Sequence, residues 1–207
     1  TAGGQMFFSL SLAMGAMVTY GKDIQLQGGY AKGSNDTDAG KCQSKDFWFA
    51  RATAQLGKGA ALTAGYFNVH DSAAQKDDNK IWTVGAKANL SKKLAIAADY
   101  MQGNPDGNAT SSQKKGFQAQ AKYGAVSAAK PGSFDVWAKY IDQGKFSYIA
   151  NPIDPKHDNA NGFRGWMFGA DYAMAKNIVA TVMWADFDEK DGKTTDQTLW
   201  SQVVFTF

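Results

Sequence analysis

The residues best suited to nucleophilic or metal chemistry are few in this chain of 207 residues. Its two histidines are His70 and His157, and Cys42 is its single cysteine. A nucleophilic serine needs a histidine base, but both histidines lie in or beside polar loops with no supporting carboxylate pattern, and no zinc-type ligand spacing occurs. The sequence therefore predicts no catalytic residue, no metal site and no cofactor. The lone cysteine also excludes an internal disulfide.

Charged and amide side chains instead recur at every second position of several segments. In residues 117–123, for example, Gln118, Gln120 and Lys122 alternate with apolar and aromatic residues. Polar groups at such positions are stable only where they meet water, so we expect them to lie on one wetted face. The candidate residues of this face are Arg51, Lys87, Asp99, Gln118, Gln120, Lys122, Asp135, Lys139 and Asp171.

Two interpretations of this wetted face remain open. Its residues are either solvated wall residues without individual roles, or cationic and anionic clusters that face each other across a constriction and sort solutes by charge. Four of the candidates are cationic and three are anionic, which leaves a net charge of +1. Such a small excess predicts weak selectivity with a slight preference for anions.

The composition favours strands over helices as the elements that carry these residues. The chain has 22 Gly, 13 Phe, 8 Tyr and 6 Trp, and Glu189 is the single glutamate among its 19 acidic residues. Such a composition is poor in helix formers and rich in strand and turn formers. No stretch approaches the roughly 18 apolar residues of a membrane-spanning helix. The net charge of +3 is spread over scattered lysines, which argues against a nucleic-acid partner.

Eleven segments show the period of two that indicates a half-buried strand. They cover roughly residues 6–20, 24–31, 46–56, 60–70, 80–90, 94–102, 115–123, 134–142, 163–173, 178–187 and 197–207. Short turns (21–23, 57–59, 91–93, 173–177 and the longer 124–133) alternate along the chain with long polar loops (32–45, 71–79, 103–114, 143–162 and 188–196). This segregation of connections by strand end is typical of a membrane β-barrel, and a soluble sandwich has no reason to show it.

Aromatic residues on the opposite faces of these strands sort by strand end as well. The residues near the long loops are Trp48, Trp82, Trp166 and Trp184, and those near the short turns include Tyr20, Tyr123 and Tyr172. Small residues, mostly alanines, lie between the two groups. The pattern predicts two aromatic girdles at the surfaces of a membrane. The alternative, aromatic residues that fill a closed core, does not explain the sorting.

The last residues of the chain carry a further pattern. The ending LWSQVVFTF places Val203, Phe205 and Phe207 on one face of a strand. It resembles the C-terminal signature by which the barrel-assembly machinery recognises outer-membrane proteins. Together with the repeated hairpins, this ending makes the chain similar to the Gram-negative porins. The stretch MVTYGKDIQLQGGYAKG is most similar to the OmpM-type porins of diderm Firmicutes.

The resemblance implies an all-β fold, a transmembrane antiparallel up-and-down β-barrel in the bacterial outer membrane. Residues 1–207 are then a single domain with about 11 strands of a barrel of about 16, with the N-terminal strands missing, because bacterial barrels have even strand numbers. The alternatives are a 12-stranded barrel that lacks one strand and a barrel closed differently around residues 1–12. The inward-folded third loop of general porins and the wall-binding domain of OmpM-type porins are expected to lie outside this sequence.

The resemblance also implies a function, namely a water-filled channel for passive diffusion of small hydrophilic solutes and ions and not an enzyme. The implied partners are the lipid bilayer with its lipopolysaccharide, the barrel-assembly machinery and further copies of the chain in a homotrimer. Two alternatives stay open, a structural barrel that tethers the membrane to the cell wall and an outer-membrane hydrolase. The longest loop, 143–162, folds over the pore mouth, packs on a neighbouring subunit or is an ordinary surface loop.

Overall fold

The computed structural model describes residues 13–33, 46–70, 78–149, 162–190 and 194–206, and these residues form eleven β-strands in one sheet. The strands are β1 (Ala13–Tyr20), β2 (Ile24–Gly33), β3 (Asp46–Gln55), β4 (Ala60–His70), β5 (Asn79–Asn89), β6 (Leu94–Pro105), β7 (Lys115–Gly124), β8 (Phe134–Gly144), β9 (Gly162–Ala175), β10 (Ile178–Glu189) and β11 (Thr195–Phe205). Each coincides with one of the segments of period two. Residues 6–12 of the first predicted segment lie outside the described residues.

Each strand pairs antiparallel with its neighbours in sequence, so the topology is up-and-down. Within the described residues β1 and β11 each pair on one side only. The predicted all-β antiparallel fold is confirmed. One helical turn, α1 (Ser111–Lys114), precedes β7. Among the described residues no helix is both long and apolar enough to cross a membrane.

The short connections all lie at one end of the sheet, which we call the short-turn end; the other is the long-loop end. The longest of these turns, between β7 and β8, begins at Gly124 with a φ of 94°, a backbone conformation that favours glycine. It packs against the turn between β9 and β10, where Asn177 has a φ of 65° and donates its backbone N–H to the Ala128 carbonyl at 2.7 Å. The two neighbouring turns therefore support each other.

The two faces of the sheet differ in burial. The outer face exposes large apolar side chains such as Trp82 and Val84, at 59% and 60% of their surface. The inner face buries its residues, with Phe47 1% exposed and Asp135 0% exposed. A single sheet buries one face only if it curves around that face or is covered there, so the inner face is the enclosed one.

The inner face is more apolar at its long-loop end than the alternation predicts. Two apolar clusters lie there. The β6–β10 cluster consists of Met101, Ile141, Tyr148, Phe163, Met167, Met183, Ala185 and Phe187. The β2–β5 cluster consists of Ala31, Phe47, Phe49, Phe67, Val69, Ile81 and Ile149. The polar candidates are therefore concentrated in the middle and at the short-turn end of the inner face.

Candidate functional site

A polar group lies in the middle of the inner face and centres on Asp99 of β6. The Gln118 Nε2 atom on β7 donates a hydrogen bond to Asp99 Oδ2 at 2.6 Å, and both side chains are 6% exposed. On the other side of β6, the pairing residue is Gly85 of β5, and a Cβ there would overlap Asp99 Oδ1. The carboxylate therefore extends sideways across β5, into space that only a glycine leaves open.

Two cations lie on either side of this carboxylate. Asp99 interacts electrostatically with Arg51 of β3 and with Lys139 of β8. Arg51 is 48 positions before Asp99 and Lys139 is 40 positions after it, and β3 and β8 lie on opposite sides of β6 in the sheet. We call Arg51, Asp99, Gln118 and Lys139 the central polar group. Gln120 lies beside it, because it pairs with Lys139 across β7 and β8.

A second group of charges lies nearer the short-turn end. The Lys122 Nζ atom is 2.8 Å from Asp135 Oδ2, and Asp135 also accepts a hydrogen bond from the Val126 backbone N–H at 2.9 Å. Asp135 pairs with Asp171 across β8 and β9, and Thr181 donates a hydrogen bond to Asp171 at 2.5 Å. We call Lys122, Asp135, Asp171 and Thr181 the lower polar group. Its two carboxylates and one cation give it a formal charge of −1.

The structure thus places all nine candidate lining residues on the inner face and brings eight of them into or beside these two groups. Lys87 lies apart, on β5, where it is half-buried and pairs with Ala97 of β6. The alternation in sequence predicts the face but not the lateral partners, because those depend on the register between strands. Whether these residues contact solutes remains a prediction.

A segment after β8 folds against the inner face, a feature that the sequence analysis did not identify. Residues 145–149 continue from β8, and Phe146 receives a hydrogen bond on its carbonyl from Asn79 Nδ2 at 2.8 Å. Its backbone N–H donates to the Gln113 carbonyl at 2.9 Å. Tyr148 belongs to the β6–β10 cluster and Ile149 to the β2–β5 cluster, so this inward segment connects the two.

Two glycines of the wall make room for the inward segment. A Cβ on Gly103 of β6 would overlap the Phe146 carbonyl oxygen, and a Cβ on Gly116 of β7 would lie 2.5 Å from Ser147 Oγ. Among the alternatives for loop 143–162, the described part of the loop therefore packs inside the curved sheet. Residues 150–161 lie outside the described residues. The described residues 145–149 are an inward segment that the sequence analysis did not predict; the expectation that the third loop lies upstream of this sequence stays a prediction.

The outer face carries the predicted aromatic residues. Trp48, Trp82, Trp166 and Trp184 are exposed at the long-loop end, and Tyr20, Tyr123 and Tyr172 are exposed at the short-turn end. The first group is reinforced by aromatic contacts that the sequence analysis missed: the Tyr66 ring lies 4.4 Å from Trp82, and Phe168 lies 5.8 Å from both Trp166 and Trp184. Val203 and Phe205 are exposed on the same face. Phe207 lies outside the described residues.

The expectation that His70 lacks a carboxylate partner is wrong. His70 Nδ1 lies 2.8 Å from Asp46 Oδ1, because Asp46 and His70 pair across β3 and β4 although 24 residues separate them. The other ring nitrogen, Nε2, is 3.0 Å from Asn68 Nδ2. Both ring nitrogens therefore have partners at the long-loop end of the outer face, and among the described residues these partners are Asp46 and Asn68. His157 and Cys42 lie outside the described residues.

Among the residues that the structure describes, no group of three or more His, Cys, Asp or Glu side chains is arranged to hold a metal ion. The two polar groups contain no cysteine or histidine, and each pairs its carboxylates with cations, an amide or a hydroxyl. Both groups present charged and hydrogen-bonding atoms to the enclosed side of the sheet.

Comparison with known proteins gives a consistent result. Residues 4–108 match the family described as Gram-negative porin. Among solved structures, Pseudomonas aeruginosa OccK8 (OprE) is similar with a TM-score of 0.56 and 16% identity, over 92% of this chain and 61% of OccK8. Pseudomonas aeruginosa OpdQ is similar with a TM-score of 0.57 and 16% identity, over 92% of this chain and 58% of OpdQ. The chain spans about three fifths of the length of these two proteins. Curated protein sequences give no match.

Proposed function

The chain belongs to the Gram-negative porin family and to the bacterial outer membrane, and on this premise we propose that the complete protein forms a water-filled channel for passive diffusion of small hydrophilic solutes and ions. The observation that carries the proposal is the central polar group. Arg51, Asp99, Gln118 and Lys139 gather on the enclosed face of a sheet whose other face exposes apolar side chains. Burial of such groups is stable only where water or a partner compensates the loss of hydration.

The inward segment supports the same proposal. It occupies part of the enclosed space at the long-loop end, and the two polar groups lie between it and the short-turn end. In a closed barrel this arrangement narrows the path from one side, and the polar groups then line the remaining passage. We therefore assign to residues 145–149 the role of a constriction element.

Partners of the complete protein follow from the outer face. The two aromatic girdles favour contact with the bilayer and with lipopolysaccharide at the long-loop end. The exposed residues Leu199, Val203 and Phe205 of β11 support recognition of the C-terminal strand by the barrel-assembly machinery. A homotrimer fits the family.

The test is electrical. The full-length protein is reconstituted in planar lipid bilayers, and single-channel conductance and the reversal potential in a salt gradient are measured. We expect stepwise, ohmic conductance with weak ion selectivity. Absence of conductance from protein that has folded and inserted, as judged by heat-modifiable migration, would contradict a diffusion channel and would favour a structural barrel.

A further inference from the structure

An aromatic ring lies on the inner face between the two polar groups. Asp135, Trp137 and Lys139 are successive inward residues of β8, so the Trp137 indole separates the lower polar group from the central one. Its neighbour on β9 is Gly169. A Cβ on Gly169 would lie 2.9 Å from Trp137 Cη2 and would overlap two further atoms of the six-membered ring. The indole therefore covers Gly169 and lies against the wall, where a side chain on residue 169 would displace it.

Hydrogen-bonding groups surround this ring on the inner face. Lys122 pairs with Trp137 across β7 and β8, and Gln120 pairs with Lys139 one inward position further along. The Lys139 Nζ atom lies 5.9 Å from the Trp137 ring centroid. Asp171 lies one inward position from Gly169 on β9. Donors and acceptors thus border an apolar ring that is itself only half-buried.

The charges around Trp137 largely compensate each other. Lys122 forms an ion pair with Asp135 at 2.8 Å. Asp99 lies between Arg51 and Lys139 and interacts with both. A solute at Trp137 therefore meets strong local dipoles and hydrogen-bonding atoms with little excess charge. Such surroundings suit a neutral molecule with many hydroxyl groups better than an ion, which needs an uncompensated opposite charge.

A flat ring bordered by polar groups matches one chemical class well. A pyranose ring has an apolar face of C–H groups and a rim of hydroxyl groups. The first packs on an aromatic surface, and the second exchanges hydrogen bonds with amides, ammonium groups and carboxylates. Sites that combine an apolar surface with a few placed polar groups are typical of small-molecule binding.

We propose that Trp137, bordered by Gln120, Lys122 and Asp171, is a binding platform for the pyranose rings of neutral sugars. The inference rests on the proposed channel and assigns it a preferred class of solute. A sugar resting on Trp137 lies between the two polar groups and transiently reduces the space available to ions. Binding is therefore measurable as a reduction of the ionic current.

The experiment uses the full-length protein in planar bilayers, with maltotriose added at increasing concentration and glycerol at equal osmolarity as the control. We expect a saturable decrease of current with maltotriose and not with glycerol. The Trp137→Leu variant should conduct ions but bind maltotriose about tenfold or more weakly. Gly169→Ala keeps the Trp137 residue but displaces its ring, because the new Cβ would overlap ring atoms; it should also weaken maltotriose binding.

A matched control is Trp200→Leu. Trp137 and Trp200 both pack against the β6–β10 cluster, but Trp200 lies on β11, where its cross-strand partner is the apolar Met183. It should bind maltotriose like the wild type. A conducting wild-type channel that maltotriose does not block, or equal blockage of the wild type and Trp137→Leu, would overturn the platform and leave the channel function intact. Absence of any conductance would refute the proposed function as well.

Discussion

The packing of the inward segment against Gly103 gives the most specific prediction, because a single methyl group at Gly103 should displace the segment. In Gly103→Ala, the new Cβ would lie 2.8 Å from the Phe146 carbonyl carbon and would overlap its oxygen. Since both contacts are with backbone, no side-chain rotation relieves them. The matched control is Gly28→Ala, where the nearest atom to the new Cβ is the Phe49 carbonyl oxygen at an ordinary 3.7 Å.

The cost of displacement can be worked from the contacts that are lost. The Phe146 carbonyl loses the hydrogen bond from Asn79 Nδ2, which now measures 2.8 Å, and an unpartnered buried acceptor costs about 1–3 kcal/mol. Tyr148 and Ile149, which are 4% and 2% exposed, lose part of a burial worth about 1.5–3 kcal/mol for each large apolar side chain. A total of about 3 kcal/mol lowers the ratio of seated to released segment on the order of a hundredfold.

Two measurements detect the release of the inward segment. Trypsin added to outer-membrane vesicles should cleave after Lys145 in Gly103→Ala much faster than in the wild type, because Lys145 begins the segment. Single-channel conductance should increase, since the constriction widens. Gly28→Ala should match the wild type in both. If Gly103→Ala inserts normally and yet shows wild-type cleavage and conductance, residues 145–149 do not pack on the inner face beside Gly103.

The remaining predictions address the faces, the charges and the chain end. With the native cysteine replaced, a membrane-impermeant thiol reagent that enters through the pore should modify Gln120→Cys and not Phe168→Cys; the reverse would mean a register error of one residue. Lys87→Glu and Lys122→Glu together should shift the reversal potential toward cations without abolishing conductance, and an unchanged potential would remove both residues from the conducting path. Deletion of Phe207 should lower outer-membrane levels sharply with synthesis unchanged, and normal insertion of the shortened chain would contradict its role in assembly.

The strands and their faces were predictable from the sequence because alternation is a local property. In β5 every second residue from Trp82 to Ala88 is apolar, and a strand is the conformation that places such residues on one side. The ends of the strands were harder to predict. The strand predicted at 94–102 extends to Pro105, since Asn79 Oδ1 accepts a hydrogen bond from the Asn104 backbone N–H at 3.0 Å. Gly103 and Pro105 alone indicate a loop.

The contacts within the candidate site were not predictable in the same way. The hydrogen bond between Gln118 and Asp99 joins residues 19 positions apart, and the pairing of His70 with Asp46 depends on the register of β3 and β4. The inward segment left one signal, the inward positions of Gly103 and Gly116 on neighbouring strands. A glycine within a strand also indicates a bulge or a weak strand. That signal gains its meaning only when the segment that packs on these glycines is known.

The inner face is divided along its strands into an apolar and a polar part, and we therefore expect net charge to govern ion selectivity but not the preference among uncharged solutes. The long-loop half is largely apolar and is bridged by Tyr148 and Ile149, whereas the charged candidates lie in the middle and at the short-turn end. There, Lys122 lies 2.8 Å from a fully buried carboxylate of Asp135, and each charge cancels much of the other's field at a distance. We therefore expect a solute to respond to the spacing of these paired charges and to the ring of Trp137 between them. Because fields in a narrow pore sum over the whole lining, the net charge of the candidate residues predicts weak ion selectivity. The preference among uncharged solutes depends instead on the shape of this lower half.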